Sequence, residues 1–154
     1  MPPGFDIEQA MHISRLTSGD EARAHELFAL MASVFEADAA VASDDYVRRL
    51  LARDDFWAVV ALDADEVIGG ITAYVLPMTR AQANELFIYD VAVRVDKQRM
   101  GVGRALMDEL LTLAAASGIQ VSFVAAENED AHAVEFYRAV GGAESAVTFF
   151  TFER

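Results

Sequence analysis

A chain of 154 residues, 54% of them hydrophobic, is the size of one domain with a real core and is too apolar to be disordered. Its net charge of −13, from 25 acidic against 12 basic side chains, repels nucleic acid and anionic membrane and attracts polycations. Cysteine is absent, no apolar run approaches the length of a membrane span, and the stretch Met1-Pro2-Pro3-Gly4-Phe5-Asp6 has neither a basic region nor an apolar signal core, so a cytoplasmic protein without disulfide or thiol chemistry is expected.

Residues 11–16 read as a first strand. Thr17-Ser18-Gly19-Asp20 is a helix-start signal, after which Ala24, Leu27, Phe28, Leu30, Met31, Val34 and Phe35 recur at helical spacing. Residues 36–42 form a loop, and Ser43 or Asp44 opens a second helix with Tyr46, Val47, Leu50 and Leu51 on its apolar face. Strands over 56–62 and 67–76 flank the polar turn Asp63-Ala64-Asp65-Glu66. A strand over 85–93 leads through a charged bend to a helix over 101–117, with Val102, Ala105, Leu106, Leu110, Leu113 and Ala114 inward and Gly118 as its C′ residue. The nearly continuous apolar run 120–125 predicts a strand buried on both faces. A polar turn over 127–130, a helix over 131–140 closed by Gly141-Gly142, and a last strand over 146–152 complete the chain. Strands lead, then helix and strand alternate, which predicts one α/β layered domain around a mixed sheet, with no repeat or linker dividing residues 1–154.

The strand, bend, Gln98-x-x-Gly101-x-Gly103 and helix start together build an anion cradle. Two glycines let a ligand come close to the backbone, and the first turn of a helix points unpaired N–H groups outward at the positive end of its dipole, where a pyrophosphate fits. A Rossmann fingerprint fails because position 106 is Leu, and a P-loop fails because the motif ends Gly103-Arg104-Ala105. Lys97, Arg99 and Arg104 make this region locally positive in an acidic chain. In the preceding strand a regular alternation puts Leu86, Ile88, Asp90 and Ala92 on one face. A carboxylate in that apolar row is costly, so either a bulge turns Asp90 outward or it faces a polar cleft.

The pattern Gln98-x-x-Gly101-x-Gly103 between strand and helix resembles the acetyl-coenzyme A (acetyl-CoA) loop of the GNAT superfamily of N-acetyltransferases. The strand over 120–125, the turn Glu127-Asn128-Glu129-Asp130 and the helix carrying Tyr137 before Gly141-Gly142 resemble the family's C-terminal segment, with Asp130 where the family often carries Asn. The string Glu85-Leu86-Phe87-Ile88-Tyr89-Asp90-Val91-Ala92-Val93, with Ala73-Tyr74-Val75-Leu76-Pro77 before it, looks like the GNAT-type aminoglycoside 3-N-acetyltransferases; the Asp44-Asp45-Tyr46 and 56–62 segments are similar in order and spacing.

This resemblance implies the GNAT fold: a mixed, mostly antiparallel central sheet flanked by helices, with the 85–93 strand splayed from its neighbour to admit the pantetheine arm. It implies that Val91, Ala92, Val93, Gln98, Arg99, Met100, Gly101, Val102, Gly103 and Arg104 hold acetyl-CoA. The implied reaction is direct attack of an amine on the thioester. Asp90 would attract the ammonium and accept its proton, with its pKa raised from about 3.9 by burial or neighbouring carboxylates. A backbone N–H at Val91 or Ala92 would face the developing oxyanion, and Tyr137 would protonate the departing thiolate. Glu127, Glu129 and Asp130 would hold further ammonium groups, although an acidic turn is ordinarily solvated. Asp44 and Asp45 fit a helix N-cap first and could also line the acceptor cleft.

The implied partner is a polycationic small molecule, an aminoglycoside acetylated at its 3-amino group, and a homodimer is implied too, with no residue marking its surface. A polyamine, another small amine or a protein N-terminus is the rival acceptor, and a CoA-binding module without turnover is the rival from another class. His12, His25 and His132 have no metal-ligand spacing, so no metal is expected. His25 reads as a helix histidine, and Trp57 and Tyr74 as core or interface aromatics.

Overall fold

The structure is a computed structural model that describes residues 11–38 and 40–154. Five strands form one sheet in the order β1 (Met11–Arg15), β2 (Phe56–Asp63), β3 (Glu66–Pro77), β4 (Asn84–Val93) and β5 (Val121–Val124). The first four pair antiparallel, and β5 joins β4 in parallel after a helical crossover. Among the described residues four helices flank the sheet: α1 (Glu21–Val34), α2 (Asp44–Leu51), α3 (Val102–Ala116) and α4 (Ala131–Ala139). None is long and apolar enough to cross a membrane.

Alternation along the strands divides the core into two layers. Trp57, Val59 and Ala61 of β2 face α3, where they pack with Val102, Leu106 and Leu110. Phe56, Ala58 and Val60 face Leu27 and Met31 of α1 and Val47 and Leu51 of α2. Completely buried leucines such as Leu27, Leu106 and Leu110 each contribute roughly 1.5–3 kcal/mol. Gly69 and Gly70 lie where the two layers come closest to the sheet. A Cβ on Gly70 would stand 2.3 Å from Leu27 Cδ1, and one on Gly69 would stand 3.3 Å from Leu106 Cδ1.

The helix punctuation follows the residue chemistry. Ser43 caps α2, its side-chain oxygen accepting from the Tyr46 N–H at 3.1 Å. Gly118 ends α3 in the left-handed region, and Gly141 does the same after α4. Three expectations need correction. Tyr46 lies on the exposed side of α2, while Val47 and Leu51 are the buried pair. The run 120–125 is not buried on both faces: β5 is the last strand of the sheet, and Val121 and Phe123 are exposed. Residues 146–152 form no strand.

In β4 the regular alternation is interrupted by a bulge, one of the two alternatives open for Asp90. Thr72 registers with Asp90 but Ala73 registers with Ile88, so Tyr89 is an extra residue, a bulge. Leu86 and Ile88 therefore pack on the α3 side, whereas Ala92 belongs to the α1/α2 layer. Asp90 does not continue the Leu86–Ile88 row.

Candidate active site

The sheet opens beside that bulge. Pairing of β4 with β5 covers Glu85–Ile88 against Val121–Val124, while β4 continues to Val93 without a strand partner on that side among the described residues. The gap leads into a cavity of about 480 Å³ lined by residues of β4, the bend, α3 and α4.

The bend builds the cradle. A 3₁₀ turn over Val95–Lys97 and left-handed backbone at Arg99 and Gly101 reverse the chain into α3. Gln98 braces it, its Nε2 donating to the Val93 carbonyl at 3.0 Å. The N-terminus of α3 has no side-chain cap, and its first backbone bond runs from the Ala105 N–H to the Gly101 carbonyl. The N–H groups of the first turn are thus left for a ligand, at the positive end of the helix. Arg99, Arg104 and Lys97 line this end, although Lys97 Nζ also pairs with Asp63 at 3.2 Å and Arg104 donates to the Ala139 carbonyl at 2.9 Å.

The glycines serve two different purposes. Gly101 has φ +85° and open space where a Cβ would lie, so its backbone conformation is the requirement. A Cβ on Gly103 would lie 2.9 Å from the Phe136 ring, so this glycine lets α4 close against the start of α3.

Val91, Ala92, Val93, Gln98, Arg99, Gly101, Val102, Gly103 and Arg104 all line the cavity; Met100 is exposed and does not. Tyr137 and Asp130 line the α4 side. Burial pushes the Tyr137 phenol up to about 12, with further contributions from the charges of Asp90 and Asp130. Asp90 is half-buried and does not itself line the cavity, although the next residue, Val91, does; burial holds the Asp90 pKa above the ordinary carboxylate range. The Asp130 carboxylate caps α4, accepting from the Ala133 N–H at 3.1 Å.

The other acidic residues lie elsewhere. Glu127 and Glu129 are exposed and do not line the cavity. Asp45 pairs with Arg48. Asp44 meets His25 Nε2 at 2.9 Å, beside a separate open cavity between α1 and the 41–44 segment. Among the described residues no group of three or more His, Asp and Glu is placed to hold a metal ion.

Two features were missed in the sequence. His132, Ala133, Phe136 and Val140 line the cavity on the same helix as the expected Tyr137, and their helical spacing was the available signal. On the other face of the sheet Tyr74, Tyr89 and Phe87 form an aromatic row, with Tyr74–Tyr89 and Phe87–Tyr89 centroids 5.8 and 5.7 Å apart. The Tyr74 pKa is raised by burial first, then by Tyr46, Tyr89 and Asp90. Tyr74 therefore lies within electrostatic reach of Asp90, whose sequence neighbour Tyr89 belongs to the same row.

An uncapped helix start beside a split sheet, with a half-buried phenol in the cavity wall and a half-buried carboxylate in the adjoining strand, can hold an anionic ligand next to groups able to move a proton. Residues 22–141 match the Acetyltransferase (GNAT) family, and the chain belongs to that family. It is similar over 97% of its length to an aminoglycoside acetyltransferase, meta-AAC0020, from an uncultured soil metagenomic sample, solved in complex with sisomicin. That similarity has a TM-score of 0.94 at 29% identity and covers 99% of the other chain. A second aminoglycoside acetyltransferase from such a sample, HMB0005, shows a TM-score of 0.85 at 31% identity over 94% of this chain and 99% of that one. AAC(6')-Iy bound to a CoA bisubstrate analogue shares the fold at 15% identity, with a TM-score of 0.79 over 94% of this chain and 98% of that one. No curated protein sequence matches the chain.

Proposed function

We propose that this chain is a single GNAT domain over residues 1–154 that transfers acetyl from acetyl-CoA to the 3-amino group of an aminoglycoside, acting as a homodimer in the cytoplasm and protecting its host from the antibiotic. The observation that carries the reading is the cavity in which the open N-terminus of α3, the free edge of β4 and the Tyr137 phenol meet beside Asp90. Similarity at about 30% identity to aminoglycoside acetyltransferases across nearly the whole chain supports the acceptor class. The 85–93 string supports the 3-amino position.

Acetyl-CoA is a substrate and brings the activated thioester. The first-turn N–H groups of α3, with Arg99 and Arg104, hold its diphosphate. Asp90 attracts the acceptor's ammonium and takes its proton, freeing the nitrogen lone pair. A backbone N–H at Val91 or Ala92 faces the carbonyl oxygen as negative charge develops there. As the C–N bond forms, the nitrogen gives up its second proton to solvent water; as the C–S bond breaks, Tyr137 gives its proton to sulfur, and the proton on Asp90 returns to the phenolate through water. The two groups act in step. Protonation of Asp90 removes one of the charges that raise the Tyr137 pKa, so the phenol becomes more acidic as the thiolate departs.

Thiol release from acetyl-CoA, measured across a panel of amines, tests this reading. Gentamicin should support turnover while spermine, a simple monoamine and an N-terminal peptide do not. Release with spermine or peptide alone refutes the acceptor, and CoA binding without turnover on any amine makes the chain a binding module. An NMR spectrum of the product tests the position, with acetyl expected on the 3-amino nitrogen.

A further inference from the structure

The bulge at Tyr89 decides which way Asp90 faces. Asp90 registers with Thr72 and Thr72 with Ala58, and residues paired across antiparallel strands share a face. Ala58 belongs to the layer under α1 and α2, as does Ala92. Asp90 therefore stands on the α1/α2 face of the sheet, opposite the side on which α3 packs.

The aromatic row lies on this same face. The Tyr74 ring is 5.4 Å from that of Phe56, which belongs to the α1/α2 layer. From Tyr74 the row runs through Tyr89 and Phe87 to Phe123, whose ring stacks on Phe87 at 5.1 Å. Its far end lies open, with Tyr89 58% and Phe123 41% exposed. A contiguous exposed patch of rings marks a binding surface.

Carboxylates close the row at both ends along β4. Alternation puts Glu85 on the face of Phe87, so the order along the strand is Glu85, Phe87, Tyr89, Asp90. About 13 Å separates Glu85 from Tyr89, at a strand rise of roughly 3.3 Å per residue. Neither Glu85 nor Asp90 pairs with a basic side chain among the described residues. Aromatic faces attract ammonium groups and the C–H bonds beside them. A row of such faces holds a rigid saturated ring better than a flexible chain, which must first be ordered to lie flat. Two separated negative ends suit a cation whose ammonium groups are held apart.

We propose that this face is the acceptor platform: an amino sugar of two or more rings lies along β4 with its ring C–H bonds on Tyr89 and Phe87, one ammonium at Asp90 and another at Glu85. The inference rests on the aminoglycoside reading above and adds the source of its selectivity, with Tyr89 and Glu85 choosing a rigid, multi-ring polyamine. The open N-terminus of α3 belongs to the other side of the sheet, so the acceptor reaches Asp90 without crossing the carrier.

Kinetics with gentamicin at saturating acetyl-CoA test the platform. Tyr89→Leu should raise KM for gentamicin about tenfold with kcat nearly unchanged, and Tyr89→Phe should keep most of the parent's affinity. Glu85→Gln should raise the same KM about threefold. Both variants should bind acetyl-CoA as the parent does in calorimetric titration. In saturation-transfer NMR, irradiating the protein's aromatic protons should reach the gentamicin ring protons in the parent and far more weakly in Tyr89→Leu. A KM unmoved by either substitution refutes the platform and leaves the acceptor reading standing. Weakened acetyl-CoA binding in Tyr89→Leu does the same, because the ring would then be a structural prop. A parent that turns over no aminoglycoside refutes the acceptor reading, and the platform with it. Glu85→Gln keeps the test decisive if Tyr89→Leu fails to fold.

Discussion

Asp90 carries two opposed consequences of its half-buried position. Burial raises its pKa, which makes it a better base near neutral pH and also makes its charge a burden on the fold. An acid with a folded pKa above its unfolded value of about 3.9 adds no penalty below that value. Stability then falls as pH rises through the folded pKa, and above it the cost is complete. Asp90→Asn should therefore match the parent's denaturant midpoint near pH 3 and exceed it at pH 7, while turnover falls about 10²–10⁴-fold and CoA affinity is unchanged. An equal midpoint at both pH values would show that the carboxylate is not strained. Loss of CoA binding would show that it acts elsewhere. Tyr137 differs because its pKa near 12 keeps the phenol protonated across the working range. Tyr137→Phe should lower the rate about a hundredfold without adding or removing a limb in the pH profile below pH 10; a wild-type rate would reassign the proton donor.

At the scale of elements, the cradle depends on the contact between α3 and α4. A methyl group at position 103 meets the Phe136 ring, so Gly103→Ala should push α4 outward and destabilise the protein by about 1–3 kcal/mol. Acetyl-CoA affinity should weaken with it, and adding Phe136→Leu should recover part of both losses. No recovery in the double variant, measured by calorimetric titration and thermal unfolding, would remove that contact as the cause. The need for this glycine was legible, but its reason was not: ligand approach can be read from a motif, whereas a ring 33 positions away cannot. The same distinction separates the other successes from the misses. Ser43, Gly118 and the inner face of α3 are local matters, decided by a cap, a left-handed turn and a period of 3.6, and all were readable. A bulge was one of two ways to accommodate Asp90 in an apolar row, but its place at Tyr89 depends on how β4 meets β3. The apolar run over 120–125 and the segment over 146–152 both read as strands, yet composition does not say which neighbour covers them. His132 and Phe136 join the site only because α4 folds back over the N-terminus of α3.

At the scale of the molecule, charge is distributed unequally between the two substrates. Arg23, Arg48, Arg53, Arg94, Lys97 and Arg138 each pair with a carboxylate, which leaves a large acidic excess unneutralised. Arg99 and Arg104 keep the cradle locally cationic within that field. A polycationic acceptor is therefore drawn by the whole surface, whereas an anionic acyl carrier is repelled at long range and held only at contact. Salt separates these effects, because screening shortens the reach of the field from roughly 30 Å at 0.01 M to 10 Å at 0.1 M. Raising ionic strength across that interval should lower kcat/KM for an aminoglycoside about tenfold. The same change should leave kcat/KM for acetyl-CoA level or slightly higher. A monoamine acceptor, with one charge to steer, should lose far less than an aminoglycoside does. Parallel salt slopes for the two substrates would mean that the acidic surface serves solubility alone and plays no part in acceptor capture.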